Sequence, residues 1–302
     1  MKRSWIAAAI AAAVGLGLTL PARAEGEAVA VFRLNQVDEH FESARIGADT
    51  MAAKMDAKVV HYVPIKPNNL AEAMSQLEDV LVSRPDLVLF MPLNPNSQLP
   101  LIRSIIKSGI PVVNFNDHTI AKTLFEALGG KGNVVILEGI KGNSTSDNRV
   151  IGFNKAAAEF PDIKVLASQP ANYNRLEALQ VMENLMQQHP QIDGVIAASD
   201  NMGVAAVEAL EAAGRKGTRV VSIDGTTEGA QAVKDGKILA IAEFSGFKMA
   251  CIAMELGLRS VRGEQVPKEV ILPGALITAA NVDEWLVPMD KRECPTLAEY
   301  AS

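Results

Sequence analysis

Residues 195–201 read Val-Ile-Ala-Ala-Ser-Asp-Asn, and this short stretch indicates how the chain folds. The four apolar residues 195–198 have the length and composition of a strand that is covered on both faces. A polar group follows at 199–201, and apolar side chains then recur at helical spacing over 204–213. A buried strand, a polar loop and an amphipathic helix form the repeating unit of a parallel α/β sheet.

The same unit recurs along nearly the whole chain. Strands are predicted at 29–34, 59–63, 87–91, 112–115, 134–137, 164–167, 195–198, 220–223 and 239–243. Helices are predicted at 70–82, 99–107, 119–128, 176–188, 204–213 and 248–261. Arg84-Pro85 precedes one strand and polar loop as His189-Pro190 precedes another, which indicates two halves of like construction. The fold class is therefore α/β, with two doubly wound, Rossmann-like parallel sheets.

The first 24 residues predict export from the cytoplasm. Lys2 and Arg3 precede an apolar run over 6–20, and Ala22-Arg23-Ala24 forms a small-residue cleavage site. Cleavage after Ala24 would leave a soluble periplasmic protein long enough for two domains. It would also remove three basic residues and no acidic one, so the net charge would change from −6 to −9. Such a charge disfavours nucleic acid as a partner.

The polar loops that follow the strands predict a binding site for a small ligand, because ligands bind beyond the carboxyl ends of parallel strands. These loops, at 35–41, 92–97, 116–118, 139–148, 169–174, 199–201, 224–227 and 244–247, are rich in Asp, Asn, Ser and aromatic residues. Asp and Asn can pair with the hydroxyls of a sugar or polyol. Phe41, Tyr173, Phe244 and Phe247 could cover the apolar face of a sugar ring or serve as packing residues.

Enzymatic chemistry is not predicted. The sequence lacks the G-x-S-x-G, H-E-x-x-H and C-x-x-C motifs, and its four histidines are scattered. No metal or other cofactor is expected. Cys251 and Cys294 could form a disulfide in an oxidising compartment or remain separate thiols, because spacing alone does not decide between them.

Several stretches, in this order, resemble the periplasmic sugar-binding proteins of ABC importers, in particular ribose-binding proteins. They lie at 110–113, 129–139, 149–153, 166–175, 223–226 and 233–238. The resemblance implies the type I periplasmic binding protein fold, in which two lobes joined by a hinge close on the ligand. It implies a first lobe of 25–117 plus about 245–276, and a second lobe of 118–244 plus about 277–302. A monomer that delivers its ligand to a membrane permease is expected, and a chemoreceptor is a further compatible partner.

The resemblance also implies the ligand-binding positions. In this chain they are Asp38, His40, Phe41, Asn116, Asp117, Asp147, Tyr173, Ser199, Asp224 and Phe244. Six of these positions differ from the residues of ribose binders: His40, Asn116, Asp117, Asp147, Ser199 and Phe244. A regulator of the lactose-repressor type shares the architecture, but such proteins begin with a helix-turn-helix where this chain has a signal peptide.

Two departures from the family pattern leave alternatives open. The expected site has lost its arginines and gained carboxylates, so a cationic or amine-bearing ligand is the alternative to a sugar or polyol. Arg149 is interpreted as a structural residue that does not contact the ligand. The segment 116–133 is also about 20 residues shorter than in relatives, beyond ordinary loop variation. Either the first lobe has a reduced sheet edge, or an internal deletion impairs closure.

Overall fold

A computed structural model describes residues 26–113 and 120–300. The predicted signal peptide at 1–24 lies outside these ranges, as do the predicted site residues Asn116 and Asp117.

Two separate sheets organise the described residues. The first sheet has the strand order β2-β1-β3-β4, all parallel, with strands β1 (Ala28–Phe32), β2 (Lys58–Tyr62), β3 (Leu87–Phe90) and β4 (Val112–Val113). The second sheet is built from β5 (Lys131–Glu138), β6 (Asp162–Pro170), β7 (Gly194–Ala197), β8 (Arg219–Asp224), β9 (Ala240–Glu243) and β10 (Leu276–Ile277). Its order is β10-β9-β8-β7-β5-β6, and β10 alone runs antiparallel to its neighbour among these strands. The predicted fold class is confirmed.

Helices cover these sheets: α1 (Glu39–Lys54), α2 (Leu70–Ser83), α3 (Pro95–Lys107), α4 (Ala121–Ala127), α5 (Ser144–Ala157), α6 (Arg175–Gln188), α7 (Asp200–Ala212), α8 (Thr227–Lys234) and α9 (Gly246–Val261). Many begin at a polar residue whose side chain accepts a backbone N–H of the first turn, as Asn69, Asn174 and Ser199 do. Such caps fix where a helix starts. Within the described ranges, no helix is both long and apolar enough to span a bilayer.

The first sheet shows why continuous apolar runs became strands. Val29, Val31, Leu87 and Leu89 belong to a buried cluster with α1 and α9 on one face. The alternate residues, including Phe32 and Phe90, belong to a second buried cluster with α2 and α3 on the other face. Each fully buried side chain of this size contributes about 1.5–3 kcal/mol. We call this sheet and its helices α1, α2, α3 and α9 the first lobe, and the six-stranded sheet with α4–α8 the second lobe.

The first sheet is the smaller of the two in the described residues. It has four strands where the second has six, and β4 is an edge strand of two residues. Beside this edge lies an open groove that is lined by Met249 and Ile252 of α9 and by residues 270–273. The described four-stranded sheet is compatible with both alternatives for the short segment 116–133, the reduced sheet edge and the deletion that impairs closure.

The end of the chain contacts both lobes, whereas residues 277–302 were expected on the second lobe alone. Trp285, in the 3-10 helix Val282–Leu286, packs in the core of the second lobe. Cys294 instead lies in the core of the first lobe, where it is disulfide-bonded to Cys251 of α9. The backbone N–H of Leu297 donates to Glu255, also on α9, at 2.7 Å. The disulfide, which the sequence left open, therefore ties the tail to the first lobe.

Candidate functional site

The carboxyl ends of the strands in the two lobes face each other across a buried cavity. Its lining comes from both lobes and consists of Leu34, Asp38, His40, Phe41, Met91, Pro92, Asn143, Thr145, Arg149, Tyr173, Asp224 and Phe244. This is the edge of each sheet where parallel strands place polar loops.

Six of the predicted site residues line this cavity: Asp38, His40, Phe41, Tyr173, Asp224 and Phe244. Two others do not. Asp147 is exposed and accepts the backbone N–H of Gly142 at 3.2 Å. Ser199 is buried, but its hydroxyl is used as the N-cap of α7. Both side chains thus serve their own helix starts, and the predicted ring-covering residue Phe247 is packed in the core of the first lobe.

On the first lobe, a folded loop holds Asp38 at the start of α1. The side chain of Asn35 accepts the backbone N–H of Asp38 at 2.9 Å, and Asp38 accepts the backbone N–H of His40 at 3.0 Å. Burial raises the pKa of Asp38 to about 7, although the bond from the His40 backbone opposes the shift. At neutral pH the protonated and the ionised forms of this carboxyl group are therefore both populated, so the group can donate as well as accept a hydrogen bond.

On the second lobe, a strained turn at the end of β8 presents Asp224. Its φ of 137° is in a region that non-glycine residues rarely adopt, and Gly225 follows with a φ of 84°. The buried carboxylate of Asp200 accepts the N–H groups of Gly225 and Thr226 at 2.9 and 2.8 Å, which holds the turn. Burial raises the pKa of Asp224 well above its ordinary value, and the guanidinium of Arg149 opposes that shift.

Arg149 is the cavity residue that the sequence interpretation assigned only a structural role. Its Nη1 donates to the carbonyl of Ala198, its Nη2 lies 3.5 Å from Asp224 Oδ1, and its guanidinium lies 4.7 Å from the ring centre of Phe244. The side chain is 3% exposed, yet its Nε has no hydrogen-bond partner among the described residues. Leaving a buried donor such as this Nε without a partner costs free energy.

Helix α5 carries Arg149 to the cavity. Asn143 caps this helix, and its first helical residue is Ser144. Thr145 and Arg149 are therefore four residues apart on one face of α5, and both line the cavity. The Asn-Ser-Thr-Ser run at 143–146 was the available signal, because Asn is a strong N-cap.

Tyr173 is held in place by an unusual backbone and by a glycine. Asn172 and Tyr173 both have φ of 55°, and the tyrosine ring lies against Gly139, where an added Cβ would come within 2.2 Å of Tyr173 Cζ. The buried hydroxyl lies near Ser146 but has no partner in hydrogen-bond geometry among the described residues. Burial raises its pKa, so it remains a protonated donor. Tyr173 Oη is thus a second polar atom available to a ligand.

Aromatic rings close the cavity around these polar groups. His40 stacks on Phe244 with ring centres 5.5 Å apart, and Phe41 meets His40 edge-on at 5.1 Å. Burial, assisted by the positive charge of Arg149, lowers the pKa of His40 to about 3. His40 is therefore neutral at pH 7 and adds no charge to the site.

Direct hydrogen bonds cross between the lobes at the edges of the cavity. Asn143 Nδ2 donates to the carbonyls of Pro92 and Leu93 at 2.8 and 3.1 Å. Asn68 Nδ2 donates to the carbonyl of Asn172 at 3.1 Å. The lobes are therefore in direct contact at these edges.

Within the part of the chain that is described, no three His, Cys, Asp or Glu side chains are placed to hold a metal ion. The arrangement instead brings hydrogen-bond donors and acceptors together in one cavity that is lined by both lobes. It can enclose and orient a small polar molecule.

Comparison with known proteins places the chain among transport receptors. A family model described as periplasmic binding protein domain matches residues 118–265. A xylitol-binding protein of Mycolicibacterium smegmatis is 32% identical over 303 residues, covering 92% of this chain and 86% of the relative. The ribose import binding protein of Escherichia coli is 30% identical over 281 residues, covering 86% of this chain and 93% of the relative.

Solved structures share the architecture. A periplasmic solute-binding protein of an ABC transporter from Actinobacillus succinogenes, with bound D-allose, superposes with a TM-score of 0.78 at 28% identity. It covers 85% of this chain, which in turn covers 99% of that structure. A solute-binding protein from Bacillus halodurans with bound myo-inositol has a TM-score of 0.79 at 22% identity, which supports the fold alone.

Proposed function

Because this chain belongs to the periplasmic binding proteins of ABC importers, the family of the ribose-binding proteins, we propose that it captures a neutral sugar or polyol by hinge closure and delivers it to a membrane permease. It acts as a receptor without enzymatic turnover. The named relatives bind xylitol and ribose, which are small, neutral and polyhydroxylated.

The observation that carries this proposal is the set of unpartnered polar atoms in the cavity. Arg149 Nε and Tyr173 Oη are buried without protein partners in the described ranges, and the carboxyl groups of Asp38 and Asp224 line the same space. A ligand with several hydroxyl groups can satisfy donors and acceptors together, because each hydroxyl donates one hydrogen bond and accepts others.

The charges of the cavity disfavour a cationic ligand. Arg149 supplies one positive charge. Burial raises the pKa values of Asp38 and Asp224, which favours the uncharged forms of their carboxyl groups. The alternative of a cationic ligand rested on a site without arginine, and Arg149 lines the site. An amine would have to be buried beside that guanidinium, at a cost that the carboxyl groups would have to offset.

The remaining parts of the proposal concern export and partners. Cleavage after Ala24 releases the mature protein into the periplasm, where it acts as a monomer on a permease. N-terminal sequencing of protein from the periplasmic fraction, and its mass in solution, test these points. A start other than Glu25, or a stable dimer, would contradict them.

The ligand itself is tested by calorimetric titration with xylitol, ribose, allose and myo-inositol, alongside gluconate as an anion and a small polyamine as a cation. At least one neutral compound should bind with micromolar affinity or better, and the two ions should not. Binding of the polyamine alone would refute the proposal.

A matched pair of variants tests the site. Asp224→Ala should weaken binding of the best neutral ligand by about 10- to 100-fold, the cost of losing a hydrogen bond to a charged or strongly polar group. Asp235→Ala, at the exposed end of α8, should bind normally. Unchanged affinity of Asp224→Ala would show that the ligand is held elsewhere.

A further inference from the structure

We propose that Glu39 is a positioning residue that stabilises the closed form from outside the ligand cavity, by capping a helix of the opposite lobe. Glu39 is the first residue of α1 in the first lobe and does not line the cavity. Its Oε1 accepts the backbone N–H of Thr227 at 2.7 Å, and its Oε2 accepts that of Glu228 at 3.2 Å. Both N–H groups belong to the first turn of α8 in the second lobe.

Other backbone N–H groups at the start of α8 are hydrogen-bonded within the second lobe. Thr226 is the N-cap of α8, and its hydroxyl accepts the N–H of Gly229 at 3.0 Å. The N–H of Thr226 donates to Asp200 at 2.8 Å. Within the described residues, the first-turn N–H groups of Thr227 and Glu228 thus donate their hydrogen bonds across the cleft, to the carboxylate of Glu39. An anionic group at a helix N-terminus is favoured by the helix dipole as well as by the hydrogen bonds.

The charge arrangement permits this contact although Glu228 is itself acidic. Arg175 Nη1 lies 2.7 Å from Glu228 Oε1, and Arg175 Nη2 lies 2.6 Å from Glu208 Oε1. The side chain of Glu228 is therefore paired within the second lobe. This pairing offsets its repulsion of Glu39.

The contact can affect closure because it exists only when the lobes meet. In an open form, the same N–H groups and the Glu39 carboxylate would be solvated separately. A group that interacts with one of two conformations shifts the equilibrium by the difference in free energy. Glu39 should therefore raise the closed fraction without ligand, and should slow ligand release when ligand is present. The effect on ligand affinity rests on the proposed function, whereas the effect on the closed fraction does not.

The test measures the distance between the lobes in ligand-free protein. Spin labels on Ser75→Cys in α2 and Glu183→Cys in α6, both exposed, report the two lobes, and the native cysteines are held in their disulfide. The ratio of closed to open protein should fall about fivefold to tenfold in Glu39→Ala, the range for losing a charged helix cap. Glu39→Gln, which keeps the acceptor and loses the charge, should recover part of the closed fraction.

Glu78→Ala, at an exposed position of α2, is the matched control and should leave the distance distribution unchanged. Equal closed fractions in wild type and Glu39→Ala, including none in either, would overturn the proposal. With the best neutral ligand, Glu39→Ala should raise the dissociation rate by a similar factor and leave the association rate unchanged. If no sugar or polyol binds the wild type, the proposed function fails, while the ligand-free distances still decide the role of Glu39.

Discussion

Replacing Arg149 by methionine should reduce both ligand affinity and stability, by separable amounts. The guanidinium is 3% exposed, with one face 4.7 Å from the Phe244 ring centre and Nη2 3.5 Å from Asp224. Loss of a charged hydrogen bond to the ligand from Nε corresponds to about 1.5–3 kcal/mol, or about 10- to 150-fold in affinity.

The loss of stability has a different origin. Removing one partner of a buried ion pair costs about 3–5 kcal/mol. The lower part of that range is expected here, about 3 kcal/mol, because burial already raises the pKa of Asp224 and lets its carboxyl take up a proton. The double variant Arg149→Met/Asp224→Asn removes both charges and should recover most of the stability but not the affinity.

Calorimetric titration and urea denaturation of the two variants separate these effects. Arg103→Met, at an exposed position of α3, serves as the control and should match wild type in both assays. If the single variant were destabilised and the double variant bound ligand as tightly as wild type, Arg149 would be a purely structural residue. The assignment of Nε as a ligand donor would then be refuted.

Three further changes test other parts of the site and fold. Burial lowers the pKa of His40 to about 3, so enclosing His40 must remove a proton from it below its ordinary pKa of about 6.5. Relative to His40→Gln, the affinity of the wild type should therefore fall as the pH drops below 6.5, by up to about tenfold per pH unit. An equal pH dependence in both proteins would contradict the buried, neutral His40. Gly139→Ala should weaken binding at least about tenfold by displacing Tyr173, because the new Cβ would lie 2.2 Å from the ring; a crystal structure of the variant with Tyr173 unmoved would contradict this. Replacing Cys251 and Cys294 by serine should lower the unfolding free energy by about 4 kcal/mol, since the disulfide closes a loop of 43 residues, while ligand affinity stays unchanged; an unaltered denaturation midpoint would show that the bond does not form.

The sequence predicted the strands well because most of them are buried on both faces. Residues 195–198 and 220–223 could be identified as strands without any tertiary information, and β7 and β8 lie within one residue of those limits. Helix starts were less accurate where several capping residues stand together. At Asn143-Ser144-Thr145-Ser146 the sequence offers four polar residues, and the choice among them decides which side chains face the cavity.

The candidate site was predicted where the backbone alone brings residues to the sheet edge. Asp38 lies in the loop after β1 and Asp224 is the last residue of β8, so the topology carries them to the cavity. Arg149 could not be placed in the same way, because its position depends on the exact start of α5. The contacts of Glu39 were beyond sequence reasoning for a further reason. They join residues that are 188 positions apart in the sequence and lie in different lobes, and a local sequence pattern does not predict such a contact.

The tail shows a similar limit. Cys251 and Cys294 are separated by 43 residues, and whether they meet depends on where the chain runs after Trp285. The tail leaves the second lobe and returns to α9, which spacing and composition do not indicate.

The central claim is that a neutral, polyhydroxylated ligand is enclosed between the lobes by Arg149, Asp38 and Asp224. A crystal structure of the protein with the best ligand from the titration panel tests it most directly. A ligand hydroxyl should lie within about 3.2 Å of Arg149 Nε, with other hydroxyls on the two carboxyl groups. A ligand bound outside this cavity, or bound inside it with Arg149 Nε still without a partner, would contradict the account.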